Sequence, residues 1–517
     1  MTAPQADAPA YPDPLRRTLI TLACLFSVMI VTLDGTIAVI ALPRIQSSLG
    51  ASQEQIAWVL TSYLVAQAVA TPLSGWLADR FGRRRIMAAS VLGFTFASLG
   101  CGASPNIEVL VLFRFLQGFF GASLVPLSQV LLLAINPPEK HGSAIALFGL
   151  GTLLGPTIGP TLGAWLTESF SWRWIFLINL PIGTVGFVGL VAFLRDKLRA
   201  DVRPFDMTGF LAVSIALTAL QLLLDRGQLL DWFSATEIRI EAVVAGLAGW
   251  TALVHMLTAA DPFLKPATFR DRNFLIGSLL SAMVGVLLVG VVPLMTSIMQ
   301  QLLGYPVMLA GMLSLPRALA NMVGVFLAGR LVTAFGPRRM ILAGLVLIVT
   351  SIWTLTTLSL DARQMTFGLV AAAQGLGSGF LFLPLTLAVF STLPSHLRNE
   401  ASALFTLVRS LGGSIGLSVL QTMTIRDTAA AQARLVEAAR PDNPVAQLRL
   451  PGLDWGLPDA LVPLAGGIAR QAAMLAYLHT FQALLLLALL VAPACLLIRN
   501  PRRAGDANLP PVVVHAD

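Results

Sequence analysis

Residues 75–86 read GWLADRFGRRRI, and residues 329–340 read GRLVTAFGPRRM. The two stretches agree at six positions, and 254 residues separate Gly75 from Gly329. Each copy is a short basic segment that contains glycine and lies between long apolar runs. Self-similarity at a fixed spacing is the mark of an internal repeat. The sequence therefore predicts two equivalent halves that arose by duplication.

The composition is that of a membrane protein. Hydrophobic residues make up 56% of the 517-residue chain and charged residues only 12%, about half of the roughly 25% that is typical of soluble domains. Backbone groups in lipid must be hydrogen-bonded internally, and long runs of Leu, Ala and Gly favour helices over the alternating strands of a barrel. The net charge of +8 comes mainly from short loops on one side, so it does not indicate nucleic acid binding.

Apolar runs of helical length divide the chain. They predict an all-α membrane protein with two pseudo-symmetric six-helix bundles and two further helices, the seventh and eighth, inserted between them. The fourteen predicted helices lie near 18–42, 55–77, 86–104, 107–132, 142–167, 174–194, 207–226, 238–258, 273–298, 307–332, 338–359, 365–391, 399–423 and 477–498.

Lys and Arg set the predicted orientation, because they concentrate in cytoplasmic loops. The short loops on the outer side hold only Arg44, Arg173, Arg226, Arg239 and Arg363, so both termini are expected in the cytoplasm. The predicted regions are a disordered N-terminus at 1–17, a bundle at 18–200, the inserted helices at 201–262, a second bundle at 263–498 and a cytoplasmic tail at 499–517.

One predicted outer loop, residues 424–476, is long. Its Ala-rich stretch 425–440 is expected to form a helix outside the bilayer, followed by a segment rich in Pro and Gly. This loop is either a tolerated surface insertion or a docking element for a periplasmic partner.

The sequence gives no sign of an enzyme, a metal site or a cofactor. The lysines Lys140, Lys197 and Lys265 do not end a phosphate-binding loop, so an ATP-driven pump is not indicated. The five histidines are scattered, and the three cysteines lie in apolar segments as small core residues. The sequence therefore indicates neither an ATP-driven pump nor a membrane redox enzyme.

The first copy of the repeat is expected to latch the cytoplasmic side. Its glycines allow a tight turn, and its aspartate can pair with an arginine of the same loop; the alternative is a plain positively charged loop that sets topology. The predicted gate residues are Gly75, Asp79, Arg80, Gly82, Arg83, Arg84 and Arg85.

Two charged residues lie well inside apolar runs. Asp34 occurs in TLDGT, and Arg114 occurs in LFRFLQG. Burial favours the neutral form of a carboxyl group, whereas a nearby arginine favours its charged form. We expect Asp34 to carry the coupling proton and Arg114 to control its protonation. The alternatives are a helix-packing hydrogen bond for Asp34 and a structural, snorkelling arginine for Arg114.

The fifth predicted helix carries glycines four residues apart, which give a smooth face for close packing. Its two prolines are expected to bend it, as would suit a helix at the interface between rocking halves. The residues concerned are Gly151, Gly155, Pro156, Gly159, Pro160 and Gly163.

Five further polar or basic residues occur within predicted helices. They are candidates for lining a substrate cavity, and the two arginines could instead form an ion pair with an acidic residue. They are Gln117, Gln129, Arg317, Gln374 and Arg409.

These motifs together resemble the major facilitator superfamily, within it the fourteen-helix drug:proton antiporters, and most of all the EmrB-type multidrug exporters. The resemblance covers nearly the whole chain. It is carried by LDGTIAVIALP at 33–43, GWLADRFGRRR at 75–85, LFRFLQGFFGASLVPLSQ at 112–129, GPTIGPTLGAWL at 155–166 and SWRWIFLINLPIG at 171–183.

The resemblance implies proton-driven export of lipophilic or amphipathic compounds, with membrane lipids as surroundings. It also allows a complex with a periplasmic adaptor and an outer-membrane channel. The sequence departs from the pattern in two ways: Gly163 gives the export signature a variant spacing, and no second acid stands out within helices seven to thirteen away from their ends. A proton-coupled importer or a facilitator of a small solute, on the same fold, is the alternative.

Overall fold

Long α-helices make up the described part of the chain. The computed structural model describes residues 11–137, 140–195, 205–228, 230–394, 397–440, 442–443 and 458–498. No strand occurs among these residues, so the prediction of an all-α fold is confirmed. The long helices, α1 to α14 in chain order, span Pro14–Leu49, Gln53–Phe81, Arg83–Ala103, Ile107–Ile135, His141–Ser169, Trp174–Phe193, Met207–Arg226, Thr236–Thr258, Arg272–Leu302, Val307–Phe335, Pro337–Leu355, Gln364–Ser391, Arg398–Ala438 and Pro458–Leu496.

The long helices coincide with the apolar runs. Within the described residues, 13 of them are long and apolar enough to cross a membrane. Helix α5 is not among those 13, but it has 29 residues and lies where the sequence predicts the fifth crossing. The junction crowded by Asp225 and Asp231 separates two helices, since α7 ends at Arg226 and α8 begins at Thr236.

The two repeated loops have the same backbone geometry. Gly82 joins α2 to α3 with φ of 89°, and Gly336 joins α10 to α11 with φ of 79°. Side chains other than hydrogen rarely tolerate this region of conformational space, which explains why both copies place a glycine there. In each copy the glycine N–H also donates to a carbonyl four residues earlier, Ala78 in the first and Val332 in the second.

Helix packing repeats along with the sequence. In the first half α1 packs on α5 and α6, α2 on α4, and α3 on α4 and α6. In the second half the helices eight places later make the same pairs: α9 with α13 and α14, α10 with α12, and α11 with α12 and α14. The two bundles are therefore copies of one arrangement.

The halves pack together at the end that carries the repeated loops. There a Cβ atom on Gly142 of α5 would lie 3.0 Å from the backbone oxygen of Gly329 on α10. Ser402 of α13 donates to the carbonyl of Pro126 on α4 at 3.1 Å. At the opposite end, the apolar cluster around Ile37 draws, among the described residues, on the first half alone. These contacts between the halves lie at the end with the repeated loops, and the space between the halves toward the opposite end is the cleft.

The inserted helix α7 contacts both halves. It lies against α2 of the first half and α13 of the second. Ser418 of α13 donates to the carbonyl of Leu224 at 2.9 Å, and the indole of Trp232, just beyond α7, donates to Thr422 at 3.0 Å. The inserted pair is consequently part of the packed structure rather than a peripheral addition.

Asp206 joins the ends of the inserted pair. Burial opposes its charge, but N–H groups of Gly209 and Phe263 and the ring of His255, each within 2.9 Å, hold its pKa below the usual value. A carboxylate in this position caps α7 and ties it to α8.

The helices flanking the long outer loop extend further than the sequence analysis predicts. Helix α13 runs unbroken for 41 residues to Ala438, instead of ending near 423, because its Ala-rich continuation has high helix propensity. Helix α14 begins at Pro458, not 477, and contains Pro463. The helix predicted at 425–440 is therefore confirmed to Ala438, as a continuation of α13. The prediction of a loop is wrong for residues 458–476, which belong to α14.

At 1.5 Å per residue, 41 residues span about 60 Å, roughly twice the hydrocarbon core of a bilayer. Of the N-terminus predicted to be disordered over 1–17, residues 1–10 lie outside the described residues, and the prediction is wrong from Pro14 onward, where α1 begins. Residues 196–204, 444–457 and the predicted tail at 499–517 also lie outside the described residues.

Candidate functional site

Asp34 and Arg114 form an ion pair inside the first bundle. The side chains of both residues are completely inaccessible to solvent. Asp34 lies in the middle of α1, and Arg114 lies two turns into α4. The arginine donates from one terminal nitrogen to the Asp34 carboxylate. The two charged residues singled out in the sequence are thus direct partners.

Three polar residues complete the network around the carboxylate. Gln117 donates to Asp34 at 3.1 Å and to Ser98 at 2.7 Å, and Asn179 donates to the same two residues at 3.0 and 3.3 Å. With Arg114, the Asp34 carboxylate accepts three hydrogen bonds from α4 and α6. Such a set of donors stabilises the ionised form of a carboxyl group.

The guanidinium of Arg114 is held on several sides. Its Nε donates to the carbonyl of Val59 at 3.1 Å, and a terminal nitrogen donates to Gln117 at 2.9 Å. Its Cζ lies 4.4 Å from the centre of the Tyr63 ring. The second terminal nitrogen has no hydrogen-bond partner among the described residues. This planar arrangement depends on the several donors of an arginine.

Close helix packing brings these side chains together. A Cβ atom on Gly118 would lie 2.2 Å from the carbonyl oxygen of Tyr63, so only glycine lets α4 approach α2 this closely. Helix α6 is interrupted at Ile178, and Asn179 begins its second segment. These local features place Arg114 and Asn179 on either side of Asp34.

The glycine face of α5 packs on α1 around Asp34. Cβ atoms on Gly155 and Gly159 would lie 2.4 Å from the backbone nitrogen of Leu33 and 2.3 Å from the hydroxyl oxygen of Thr36. Gly151 and Gly163 similarly meet side chains of α1 at Leu25 and Ile37. The glycine face predicted for close packing therefore meets α1 of its own bundle.

The interface between halves uses other residues of α5. A Cβ on Gly149 would lie 3.2 Å from Val325 of α10. The backbone of α5 stays helical through Pro156 and Pro160, whose side chains are outside the described part of the chain. Helix α5 thus touches the Asp34 site on one face and the second half on another.

Gly155→Ala is expected to push α5 away from α1 next to Asp34. Overpacking typically costs about 1–3 kcal/mol, so the thermal unfolding midpoint in detergent and the rate of transport should both fall. Gly311→Ala is the matched control, because no atom lies within 4 Å of its added methyl group. Equal stability and activity of the two variants would contradict the close α1–α5 contact.

Two of the candidate cavity residues lie in the first half and three lie in the second half. Gln117 belongs to the Asp34 network instead of a cavity, because it lies one turn after Arg114 on the same face of α4. Gln129 is 2% exposed and accepts a hydrogen bond from Ser402 across the interface between halves. Arg317, Gln374 and Arg409 lie on α10, α12 and α13 of the second half.

The predicted gate residues lie around the α2–α3 turn. Gly75, Asp79 and Arg80 belong to the last turns of α2, Gly82 forms the turn, and Arg83, Arg84 and Arg85 begin α3. Arg84 donates to the carbonyl of Val191 near the end of α6 at 2.7 Å. The loop therefore binds the neighbouring helix end at the closed side of the cleft.

Sequence reasoning missed Ser98, Asn179 and Tyr63. Each is a polar residue inside an apolar segment, as Asp34 is, so the same signal was available for them. Their contribution depends on which helices meet. Asn179 contacts Asp34 from 145 positions away, and Ser98 contacts Asn179 from 81 positions away. Tyr63 contacts the network through Arg114.

Comparison with known proteins identifies the family. The model of the Major Facilitator Superfamily matches residues 24–417, which include both repeated loops and the Asp34–Arg114 pair. The chain belongs to the major facilitator superfamily. The prediction of a major facilitator fold is therefore confirmed, and the protein is a multi-pass membrane transporter.

Relatives in the superfamily share most of their length with this chain. Multidrug export protein EmrB of Escherichia coli K12 is 35% identical over 458 residues, covering 88% of this chain and 89% of the relative. Fatty acid resistance protein FarB of Neisseria gonorrhoeae is 33% identical over 498 residues, covering 95% and 97%. The resemblance drawn from the motifs is thus confirmed.

Solved superfamily structures have the same fold. The human organic anion transporter MFSD10 aligns with a TM-score of 0.56 at 15% identity, covering 92% of this chain and 100% of that one. The proton:xylose symporter XylE aligns with a TM-score of 0.56 at 13% identity, covering 91% of this chain and 96% of that one. At these identities the likeness concerns the fold alone.

Proposed function

We propose that this protein exports amphipathic drugs or other toxic compounds across the inner membrane in exchange for protons. The observation that carries the proposal is the Asp34–Arg114 pair, buried at the centre of a network inside the first bundle. A charged residue inside a membrane is costly and is a functional-site hypothesis by default. Relatives that are named as export proteins support the direction of transport.

The pair supplies a chemical switch. When a proton binds Asp34, the carboxylate loses its charge, and Arg114 is left as a buried cation without its counter-ion. Breaking a buried ion pair costs about 3–5 kcal/mol, enough to favour a different packing of the helices that hold it. Proton binding and helix rearrangement are therefore energetically linked at this site.

Helix α5 connects the switch to the second half. Gly155 and Gly159 hold it against α1 beside Asp34, and Gly142 and Gly149 hold it against α10. A change in α1 packing is therefore transmitted to the interface at which the halves close. Alternating access in such transporters is largely a rigid-body rocking of one bundle against the other.

Orientation and surroundings follow from charge and helix length. We place both termini in the cytoplasm, because Lys and Arg concentrate in the loops on that side. In that orientation the cleft opens to the outside, and α13 and α14 project there beyond the bilayer. These projecting helices are the surface that we assign to a periplasmic adaptor leading to an outer-membrane channel.

The decisive experiment follows drug and dye efflux from proteoliposomes under an imposed pH gradient, with and without a protonophore. Export that the protonophore abolishes supports proton antiport. Uptake along the proton gradient would favour an importer, and transport unaffected by the gradient would favour a facilitator. Liposomes lacking the protein provide the control for passive leakage.

A further inference from the structure

Two arginines of the second half are half-buried and have no counter-ion. Arg317 of α10 and Arg409 of α13 are half-buried, and neither makes a hydrogen bond or an ion pair within the described residues. Helices α9 to α12 contain no Asp or Glu, and α13 contains none between Glu400 and Asp427. Asp34 of the first half is already paired with Arg114, and Asp225 of the inserted helix α7 accepts a hydrogen bond from Gln221.

Arg409 faces the interface between the halves. Its guanidinium carbon lies 5.0 Å from the centre of the Phe382 ring. Phe382 packs against the main apolar cluster of the first half, which includes Leu127 and Phe148. The positive charge of Arg409 therefore lies where the second half meets the first.

Arg317 lies on the face of α10 opposite the exposed apolar side chains of that helix. At about 100° per residue it is about 160° from Leu319, which is 61% exposed. Leu319 belongs to an apolar, exposed stripe on α10 with Met312, Leu315, Val323 and Phe326. The Arg317 side chain consequently projects among the helices rather than into the bilayer.

Helix α12 relates the two arginines. A Cβ atom on Gly375 would lie 1.9 Å from the carbonyl oxygen of Arg317, so these two residues lie at the same level. Phe382, at the level of Arg409, comes seven residues later, which corresponds to about 10 Å along the helix. At the level of Arg317, Gln374 is buried with an amide nitrogen that has no partner among the described residues.

We infer that the cleft binds amphipathic anions, and that Arg317 and Arg409 provide the charge that recognises the acidic headgroup. A guanidinium forms paired hydrogen bonds with carboxylate, sulfonate or phosphate groups. Two such cations, on apolar stretches of helix without acids, attract anions and repel cations of the same shape. This inference rests on the proposed export function and names the substrate class for it.

The test compares two amphiphiles that differ only in the headgroup charge. Full-length protein in lipid nanodiscs is titrated calorimetrically with decanesulfonate and with decyltrimethylammonium. The wild-type protein is expected to bind the sulfonate more tightly, and R317Q/R409Q is expected to lose about tenfold or more in sulfonate affinity. R317K/R409K, which keeps both charges, should retain part of the preference.

Control variants separate a site effect from a folding effect. Arg363→Gln makes the same charge change at an exposed position in the α11–α12 loop and should bind like the wild type. The thermal unfolding midpoint of every variant is measured alongside. If R317Q/R409Q is unstable, the test is whether R317K/R409K keeps part of the preference for the sulfonate. Equal or tighter binding of the ammonium compound by the wild type, or unchanged sulfonate binding by R317Q/R409Q, would overturn the inference.

The binding test is independent of proton coupling. If the wild-type protein prefers the sulfonate but shows no gradient-driven export, the anion-site inference stands and the proposed antiport function is refuted. If the wild-type protein exports a cationic dye on a proton gradient and shows no preference for the sulfonate, the antiport proposal stands and the anion-site inference is refuted.

Discussion

Asp34→Asn is expected to abolish transport driven by a pH gradient. Asparagine has nearly the same shape as aspartate, and its oxygen can still accept hydrogen bonds from Gln117 and Asn179. It can carry neither a negative charge nor an exchangeable proton at this position. The measurement is substrate efflux from proteoliposomes under an imposed pH gradient, for which we expect a rate equal to that of protein-free liposomes.

A second variant separates lost coupling from lost stability. Asp34→Asn leaves Arg114 buried without its counter-ion, a change that costs about 3–5 kcal/mol, so the unfolding midpoint should fall. The double variant D34N/R114Q removes both charges and should recover much of that stability while transport stays absent. Asp361→Asn, the same change at an exposed loop position, is the matched control. Wild-type transport by Asp34→Asn would exclude Asp34 as the coupling residue.

Arg114→Ala is expected to lose coupled transport as completely, and Arg114→Lys to restore little of it. The guanidinium contacts Asp34, Gln117 and the carbonyl of Val59 from two different nitrogens. A lysine has a single nitrogen on a flexible stem and cannot reproduce this planar set of contacts. The alanine variant also leaves Asp34 buried without its cation.

The readouts for Arg114 are the initial rate of gradient-driven efflux and the unfolding midpoint. Arg44→Ala, at an exposed position near the outer end of α1, controls for the loss of one positive charge on the same half. Full activity of Arg114→Ala would refute the coupling role. Full activity of Arg114→Lys would show that the charge alone suffices and that the fork geometry is dispensable.

The architecture was predictable from sequence because each membrane helix is visible as a continuous apolar run of sufficient length. The length of an apolar run indicates each crossing, and the repeat of GWLADRFGRRRI predicts two equivalent halves without knowledge of any contact. Gly82 and Gly336 show why this works: a backbone that only glycine adopts comfortably preserves the residue in both copies.

The candidate site was predictable only in part. Asp34 and Arg114 stand out because a charge in an apolar run is costly wherever it occurs. Gln117 was assigned to a cavity, and Asn179 was overlooked, because a neutral amide does not reveal its partner. The partner depends on which helix faces it, and that depends on contacts such as the one between Gly118 and Tyr63.

The ends of α13 and α14 were mispredicted for a different reason. The sequence analysis took the loss of hydrophobicity after residue 423 as the end of a helix. Hydrophobicity decides where a helix leaves lipid, whereas propensity decides whether it continues into water. The run TAAAQARLVEA favours continuation, and α13 accordingly extends to Ala438.

The position of the inserted helix α7 also determines how a lipid-dissolved molecule can reach the cleft. Helices α2 and α13 flank one seam between the halves, and α7 lies along that seam with Leu217 packed between Ala68 and Leu407. This seam is therefore shielded from the hydrocarbon chains of the bilayer. A hydrophobic compound that partitions into the membrane would then have to pass through the opposite seam, between α5 and α10, which makes uptake of substrate from the bilayer one-sided.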